Sequence, residues 1–212
     1  MGYSVIVLGA GGHANVLIDT LQLMGCEITG ITVPKNTNSS KYRGYSIIGD
    51  DDSILNYPTD DVKLVNGLGS IGSPVVRAKI FKNMKEKGYT FLQVIHPSAI
   101  IASDVTLSEG VQVMAGSIIQ PGSFIGENSI VNTKVSIDHD CKIGSNVHIA
   151  PGVTISGGVE IGDNVHIGTG AVIIQGIKIG ENSIVGAGSV CVKDIEKNQT
   201  VMGVPAKAKE VF

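Results

Sequence analysis

The chain has 212 residues, a formal net charge of −3 and a hydrophobic content of 42%, which suits one large domain or two small ones. Its basic residues do not cluster, so neither a nucleic-acid partner nor a membrane surface is indicated. The segment after Met1 lacks the features of a signal peptide, and no apolar run approaches the length of a membrane span.

The cysteines point to a reducing compartment. Cys26, Cys141 and Cys191 are odd in number, widely spaced and in no CxxC arrangement, so neither a disulfide framework nor a zinc knuckle is indicated. We therefore expect a cytoplasmic protein.

Residues 1–94 alternate strand patterns with helical patterns. The predicted strands cover residues 3–8, 27–33 and 62–65, and the predicted helices cover residues 13–24, a short stretch near 51–55, and 74–87. Ser73 and Pro74 form a start signal for the last helix, and Gly88 is its stop signal. Strands that alternate with helices favour a parallel sheet, so this segment is predicted to be a Rossmann-like βαβ domain.

A glycine-rich turn lies between the first predicted strand and helix. Gly9, Gly11 and Ala14 fit the pattern GxGxx(G/A), in which the backbone and the helix N-terminus can approach a phosphate. A dinucleotide site would require an acidic residue at the end of the second strand, but residues 32–34 are Thr-Val-Pro, which argues against NAD. A tight turn without a ligand remains the alternative.

A repeat of six residues begins at Ile95. Every sixth residue from Ile95 to Val185 is Ile, Leu or Val, and the next in the series is Cys191. Four places further on in each hexad stand small or branched residues, so two columns of side chains are expected to point inward. A period of six fits a short strand and a corner, which predicts a parallel β-solenoid over residues 95–196 whose coils stack on one another.

Glycine recurs directly after the large aliphatic residue. We expect these positions to need either a close backbone approach or an unusual φ angle, both of which are cheapest without a Cβ. The column consists of Gly126, Gly144, Gly162, Gly168, Gly180 and Gly186.

Taken together, the hexads, the opening GAGGH at residues 9–13, IDHDC at 137–141 and GVPAK at 203–207 resemble the bacterial sugar acetyltransferases of the left-handed β-helix class. The resemblance is strongest to the branch that N-acetylates nucleotide-linked 4-amino sugars or, in relatives, O-acetylates sialic acid. It implies three hexads per coil, a homotrimer, and acetyl-CoA as co-substrate between neighbouring coils. It also implies a nucleotide-sugar domain at 1–94, an acetyltransferase domain at 95–196 and a C-terminal tail at 197–212.

The same resemblance assigns the substrate contacts. It gives Gly11, Gly12 and His13 as contacts of a UDP-linked sugar. The paired acids that the family carries after its second strand are absent here, which leaves the binding of the base or sugar open.

His139 lies outside both inward columns and is therefore expected at a corner or on an outer face. An imidazole has a pKa suited to taking a proton from an attacking amine, but a solvated loop histidine is the equal alternative from the residues alone. The resemblance identifies His139 as the general base and Asp140 as the acid that orients it. Since Cys141 and Cys191 fall in inward columns, direct acetyl transfer is favoured over a covalent acyl-enzyme.

The other histidines of the repeat are placed by counting. His148 and His166 are eighteen residues apart and should stack, whereas His139 lies half a coil from His148 and should face another side. These two could share a site only across an interface between chains. The resemblance makes His148 a cofactor contact, and His166 is expected to be a polar surface residue stacked on its neighbour.

The remaining cofactor contacts follow from the resemblance as well. It places Gly157, Thr169 and Ala187 against the pantetheine arm of acetyl-CoA. Zinc is a minor alternative, because related hexapeptide carbonic anhydrases hold it with histidines close together in sequence, and no metal site is expected here.

The sequence therefore predicts an acetyl-CoA-dependent N-acetyltransferase for the 4-amino group of a UDP-linked 4-amino-4,6-dideoxy sugar, in surface polysaccharide or glycoprotein glycan synthesis. Two alternatives remain: O-acetylation of a sialic-acid-type sugar, and a non-catalytic solenoid scaffold.

Overall fold

The computed structural model describes residues 4–35, 37, 39–70 and 73–208. Residue 3, where the first strand was predicted to begin, and residues 209–212 of the predicted tail lie outside this range. The N-terminal elements are β1 (Ser4–Leu8), α1 (Gly12–Leu23), β2 (Glu27–Thr32), β3 (Lys41–Tyr42), β4 (Tyr45–Gly49), a 3-10 helix (Asp51–Asn56), β5 (Lys63–Asn66) and α2 (Val75–Glu86).

These strands form one sheet in the order β3-β4-β2-β1-β5. β1 pairs in parallel with both β2 and β5, and β4 pairs in parallel with β2, so the predicted parallel sheet is confirmed. The antiparallel hairpin of β3 and β4 was not predicted. Its strands are short and mostly half-exposed, so they carry too little apolar pattern to be separated from a loop.

Each face of the sheet is covered by a helix. Leu17 and Leu21 of α1 pack on one face, and Phe81 and Met84 of α2 pack on the other. The α1 side also buries Met114, which belongs to the repeat. Apolar packing therefore continues from the N-terminal domain into the first coils and fixes the two parts against each other.

Residues from Val94 onward form a left-handed parallel β-helix with three flat faces. Face 1 contains β6 (Val94–Ile95), β9 (Gln112–Val113), β12 (Ile130–Val131), β15 (His148–Ile149), β18 (His166–Ile167), β21 (Ile184–Val185), β23 (Thr200–Met202) and β24 (Lys207–Ala208). Face 2 contains β7 (Ile100–Ile101), β10 (Ile118–Ile119), β13 (Ser136–Ile137), β16 (Thr154–Ile155), β19 (Val172–Ile173) and β22 (Val190–Cys191). Face 3 contains β8 (Thr106–Leu107), β11 (Phe124–Ile125), β14 (Lys142–Ile143), β17 (Glu160–Ile161) and β20 (Lys178–Ile179).

The register confirms that three hexads make one coil, since Ile130 pairs with His148 and His148 pairs with His166. Both predicted inward columns are buried from Ile119 onward, and they include Cys141 and Cys191. Inward serines remain hydrogen-bonded: Ser117 Oγ donates to the carbonyl of Asn132 at 2.7 Å. The interior is a ladder of aliphatic side chains, each contributing roughly 1.5 to 3 kcal/mol before entropy is counted.

The glycine column serves close backbone approach. A Cβ on Gly126 would lie 2.5 Å from the carbonyl carbon of Gly144 in the next coil. Positive φ angles occur instead three residues after each large aliphatic residue from Leu107 to Val185, at glycines such as Gly122 and at polar residues such as Asn128 and Asp140. Close approach and left-handed backbone are thus assigned to two different columns.

The chain end extends the solenoid. β23 pairs in parallel with β21, and β24 turns back to pair antiparallel with β23, so residues 200–208 complete face 1. Within the described residues, no helix combines the length and apolar character needed to cross a bilayer.

Candidate active site

A cavity of about 1380 Å³ lies between the N-terminal domain and the β-helix. From the domain, residues 9–13 and 67–69 line it. From face 1 and the corner that follows it, the lining includes His148, His166 and Thr169. The cavity therefore combines the carboxyl edge of a parallel sheet, where ligands bind in open α/β folds, with one side of the solenoid.

The glycine turn, residues 9–13, forms part of the cavity wall. Gly9 has a φ of +90°, and its N–H donates to the Thr32 carbonyl at 3.0 Å. Gly11 precedes α1 in an extended conformation, and a Cβ on Gly11 or Gly12 would meet nothing within 4 Å. Gly11, Gly12 and His13 line the cavity, so the N-terminus of α1 lies at its wall, and a helix N-terminus is a geometry suited to phosphate.

His13 also lines the cavity, but its ring is held by the solenoid. Its Nε2 lies 2.7 Å from Oε1 of Gln112, whose Nε2 donates to the carbonyl of Asn66. Burial, with a smaller contribution from the positive charge of Arg77, lowers the pKa of His13 to about 4. The ring is therefore neutral near pH 7 and donates to Gln112.

His148 is buried at the domain junction. Its Nδ1 lies 2.8 Å from Oγ of Ser70, and its Nε2 lies 3.3 Å from the amide nitrogen of Asn132. Burial above all, and then the neighbouring His166, lower its pKa to about 3. The Asn132 amide nitrogen can only donate, so Nε2 accepts its hydrogen bond. The hydrogen of the neutral ring is therefore on Nδ1, which donates to Ser70 Oγ.

His166 departs from the sequence-based expectation. It stacks on His148 as expected, with ring centroids 5.1 Å apart and an interplanar angle of 87°. It is half-buried and lines the cavity, however, so it is not a surface residue. Its buried Nδ1 has no hydrogen-bond partner among the described residues. The hexad count placed it correctly, but only the docked N-terminal domain covers it.

Arg77 joins the two domains from within. Its Nη1 donates to the carbonyls of Asn66 and Leu68, both at 2.7 Å, and its Nε donates to the carbonyl of Asn128 in the solenoid. Burial lowers the pKa of this guanidinium to about 9. Its Nη2 has no partner in the described part of the chain. No sequence motif marked Arg77, since a lone arginine on a helix usually faces solvent.

His139 and Asp140 lie at the corner between faces 2 and 3. His139 Nδ1 donates to Asp140 Oδ2 at 2.8 Å, and both side chains are more than half exposed. This hydrogen bond, followed by the charge of Asp138, raises the pKa of His139. The pairing leaves Nε2 free to accept a proton, which is the arrangement of a general base with an orienting carboxylate.

Gly157 lies beside His139 and Asp140. It lies one coil after His139, and a Cβ on it would lie 2.6 Å from both Cε1 and Nε2 of the imidazole. Thr169 and Ala187 lie elsewhere, at the corner between faces 1 and 2, where Ala187 is exposed one coil beyond Thr169. Only Thr169 of these three lines the cavity.

Apart from Ala187, the candidate residues thus form two groups within one chain. Gly11, Gly12, His13, His148 and Thr169 line the cavity. His139, Asp140 and Gly157 occupy the corner opposite face 1. Among the described residues, no group of three His, Cys, Asp or Glu side chains could hold a metal ion.

Comparison with known proteins matches both parts of the chain. The PglD N-terminal domain matches residues 4–84, and the bacterial transferase hexapeptide (six repeats) matches residues 122–157 and 158–193.

Three solved structures resemble nearly the whole chain. A mutant of perosamine N-acetyltransferase from Caulobacter crescentus, in complex with CoA and GDP-perosamine, is 35% identical with a TM-score of 0.91, covering 98% of this chain and 97% of that one. The acetyltransferase domain of PglB from Neisseria gonorrhoeae, in complex with acetyl coenzyme A, is 31% identical with a TM-score of 0.91, covering 99% and 100%. WeeI from Acinetobacter baumannii is 26% identical with a TM-score of 0.82, covering 98% and 100%. The chain therefore belongs to the family of bacterial hexapeptide-repeat sugar acetyltransferases that carry a PglD N-terminal domain.

Proposed function

We propose that this protein transfers the acetyl group of acetyl-CoA to the 4-amino group of a nucleotide-linked 4-amino-4,6-dideoxy sugar. The observation that carries the proposal is the cavity at the domain junction. In this cavity the glycine turn at the N-terminus of α1, a geometry suited to phosphate, lies opposite a histidine-bearing face of a hexapeptide β-helix. Relatives at 31% and 35% identity were solved with acetyl coenzyme A, and with CoA together with a nucleotide amino sugar.

The proposed reaction is direct transfer. The amine nitrogen attacks the thioester carbonyl, the N–C bond forms, and the C–S bond breaks to release CoA as its thiolate. His139 Nε2 takes the proton from nitrogen and can pass it to the departing sulfur. Asp140 holds the imidazole and stabilises its protonated form. A positioned base of this kind contributes about 10² to 10⁴-fold in rate.

The site is proposed to form between chains. His139 lies opposite the face that lines the nucleotide cavity, so one chain does not bring both to the same sugar. A neighbouring β-helix whose corner between faces 2 and 3 lies against this cavity would supply His139. The exposed position of His139, with 60% of its side chain accessible, fits a residue that acts at such an interface. A homotrimer satisfies this requirement with three equivalent sites.

The sequence-based prediction of a uridine nucleotide remains a prediction. The Caulobacter crescentus relative was solved with a guanosine nucleotide sugar, so both nucleotides belong in the test.

The test is thiol release from acetyl-CoA with UDP- and GDP-linked 4-amino-4,6-dideoxy sugars, and with free sialic acid. Turnover with an amino sugar and none with sialic acid supports N-acetylation, whereas the reverse result would establish the O-acetylation alternative. His139→Asn and His139→Ala should lose about 10² to 10⁴-fold in kcat while the oligomer is kept. A variant with full rate would exclude His139 as the base, and no turnover of any acceptor would favour the scaffold alternative.

A further inference from the structure

Thr32 and Asp51 meet at the edge of the cavity. The hydroxyl of fully buried Thr32 donates to Oδ1 of Asp51 at 2.6 Å, and both residues line the cavity wall. Thr32 ends β2, whereas Asp51 begins the 3-10 helix after β4. Two distant segments therefore place one carboxylate on the carboxyl end of β2.

The position of this carboxylate relative to the glycine turn is fixed by strand pairing. Thr32 is in register with Leu8 of β1, and its carbonyl accepts the N–H of Gly9. Adjacent strands are about 5 Å apart, so Asp51 lies roughly one strand to the side of the phosphate-binding turn. In a nucleotide diphosphate the ribose is the group joined directly to the phosphates. It is therefore the group that reaches the neighbouring strand.

An acidic residue at this place is what α/β nucleotide sites require. A carboxylate at the end of the second strand accepts hydrogen bonds from the ribose hydroxyls. Residues 32–34, Thr-Val-Pro, provide none from β2 itself. Asp51 enters from the following turn instead, and Thr32 holds its Oδ1. No described residue donates a side-chain hydrogen bond to its Oδ2.

The adjacent Asp50 does not fit this role. Its Oδ2 pairs with Lys35 Nζ at 3.2 Å, and its Oδ1 accepts hydrogen bonds from the Asp52 N–H and the Ser53 hydroxyl. The hydrogen bond and charge of Lys35 lower the pKa of Asp50. Asp50 is thus satisfied within its own turn and serves as a matched control.

We infer that Asp51 binds the ribose hydroxyls of the nucleotide diphosphate and that Thr32 positions its carboxylate. This inference rests on the proposed function and names the residue that replaces the acid missing from the end of β2.

The experiment measures binding of GDP, UDP, their 2′,3′-dideoxy forms and IDP by calorimetry. The wild-type protein should bind the ribose form roughly 10- to 100-fold more tightly, the range for a hydrogen bond to a charged group. Asp51→Asn should lose most of that preference and bind the dideoxy form as the wild type does. Asp50→Asn should keep the preference, and Thr32→Val should reduce it in part.

Three results would overturn the inference while the proposed function stands. The first is wild-type protein that binds ribose and dideoxy forms alike. The second is an Asp51→Asn variant that weakens both forms equally, which indicates a structural role. The third is an Asp51→Asn variant that no longer distinguishes GDP from IDP, which lacks the 2-amino group of guanine, while it keeps the ribose preference. The carboxylate would then bind the base and not the ribose. Wild-type protein that binds neither GDP nor UDP would refute the proposed function itself.

Discussion

The imidazole of His139 rests on the backbone of Gly157, one coil further along the solenoid. A Cβ at Gly157 would lie 2.6 Å from Nε2, the atom that the proposed reaction uses. The imidazole thus occupies space that is open only because residue 157 has no Cβ. Gly157, which the family resemblance assigned to the pantetheine arm, has a structural reason to be glycine within its own chain.

Gly157→Ala should therefore lower activity more than stability. The added methyl group displaces a side chain that can move, so we expect about a 10- to 100-fold loss in kcat and little change in Tm. Gly168→Ala is the contrasting control, because its Cβ would meet the backbone nitrogen of Ala187 at 2.5 Å and should cost stability. Steady-state rates and thermal unfolding of both variants separate the two effects. Full activity in Gly157→Ala would show that the ring position seen here does not matter for transfer.

Asp140→Asn should change the pH dependence. Asp140 is the largest contributor to the raised pKa of His139, so its replacement should lower that pKa. His139 must be neutral to accept a proton, so the acid limb of the pH profile of kcat/KM should move to lower pH. The maximal rate should fall about tenfold or more, because the imidazole loses its orienting carboxylate. Asp138→Asn, which removes a smaller contribution, should give a smaller displacement. An unchanged acid limb in Asp140→Asn would assign that limb to another group.

The same pair contributes to stability with a defined sign. Since folding raises the pKa of His139, the interaction favours the folded chain below pH 6.5, and this contribution is lost as the pH rises through the folded-state pKa.

Two inactive variants should complement each other if sites form between chains. His139→Ala removes the proposed base, and Gly12→Asp places a negative charge at the helix N-terminus that faces the cavity. Each alone should be inactive. An equal mixture of the two variants with randomly exchanged chains should regain roughly a quarter of wild-type activity, because each site needs one intact loop and one intact His139 from its neighbour. Native mass spectrometry confirms chain exchange, and exchanged but inactive oligomers would place the site within one chain.

Acidification should destabilise the protein through its buried histidines. The pKa values of His148 and His13 are lowered to about 3 and about 4, mainly by burial. The unfolded chain gains protons near pH 6.5 and the folded chain does not. Stability is therefore lost as the pH falls from 6.5 toward 4, by at most about 1.4 kcal/mol per unit for each histidine. In urea unfolding, His148→Asn should flatten the loss between pH 6.5 and 5, and His139→Gln should not. An unchanged slope in His148→Asn would show that His148 is protonated in the folded state.

Arg77→Met should destabilise the protein by about 3 kcal/mol. The change leaves the carbonyls of Asn66, Leu68 and Asn128 without their shared donor at the buried domain junction. Arg77→Lys should lose less, since it keeps the charge and part of the hydrogen bonding. Denaturant unfolding gives the free energies, and a loss under 0.5 kcal/mol, about that of an ordinary surface substitution, would remove Arg77 from this role.

The β-helix could be predicted from sequence because its determinants are local and periodic. Counting in sixes placed Cys141 and Cys191 inside, stacked His166 on His148, and put His139 on a corner half a coil from His148. Each coil is set by the same two inward columns and close glycine contacts, so the pattern along the chain is also the pattern in space.

What only the tertiary structure decided lies where distant segments meet. The docked domain covers His166, joins Ser70 to His148 and buries Arg77, and the turn after β4 brings Asp51 to Thr32. These contacts join residues far apart in sequence that share no period, and their formation depends on how the sheet packs on the first coils. The sequence therefore determined the solenoid and the places of its histidines. The packing of the two domains decided the cavity between them and the carboxylate at its edge.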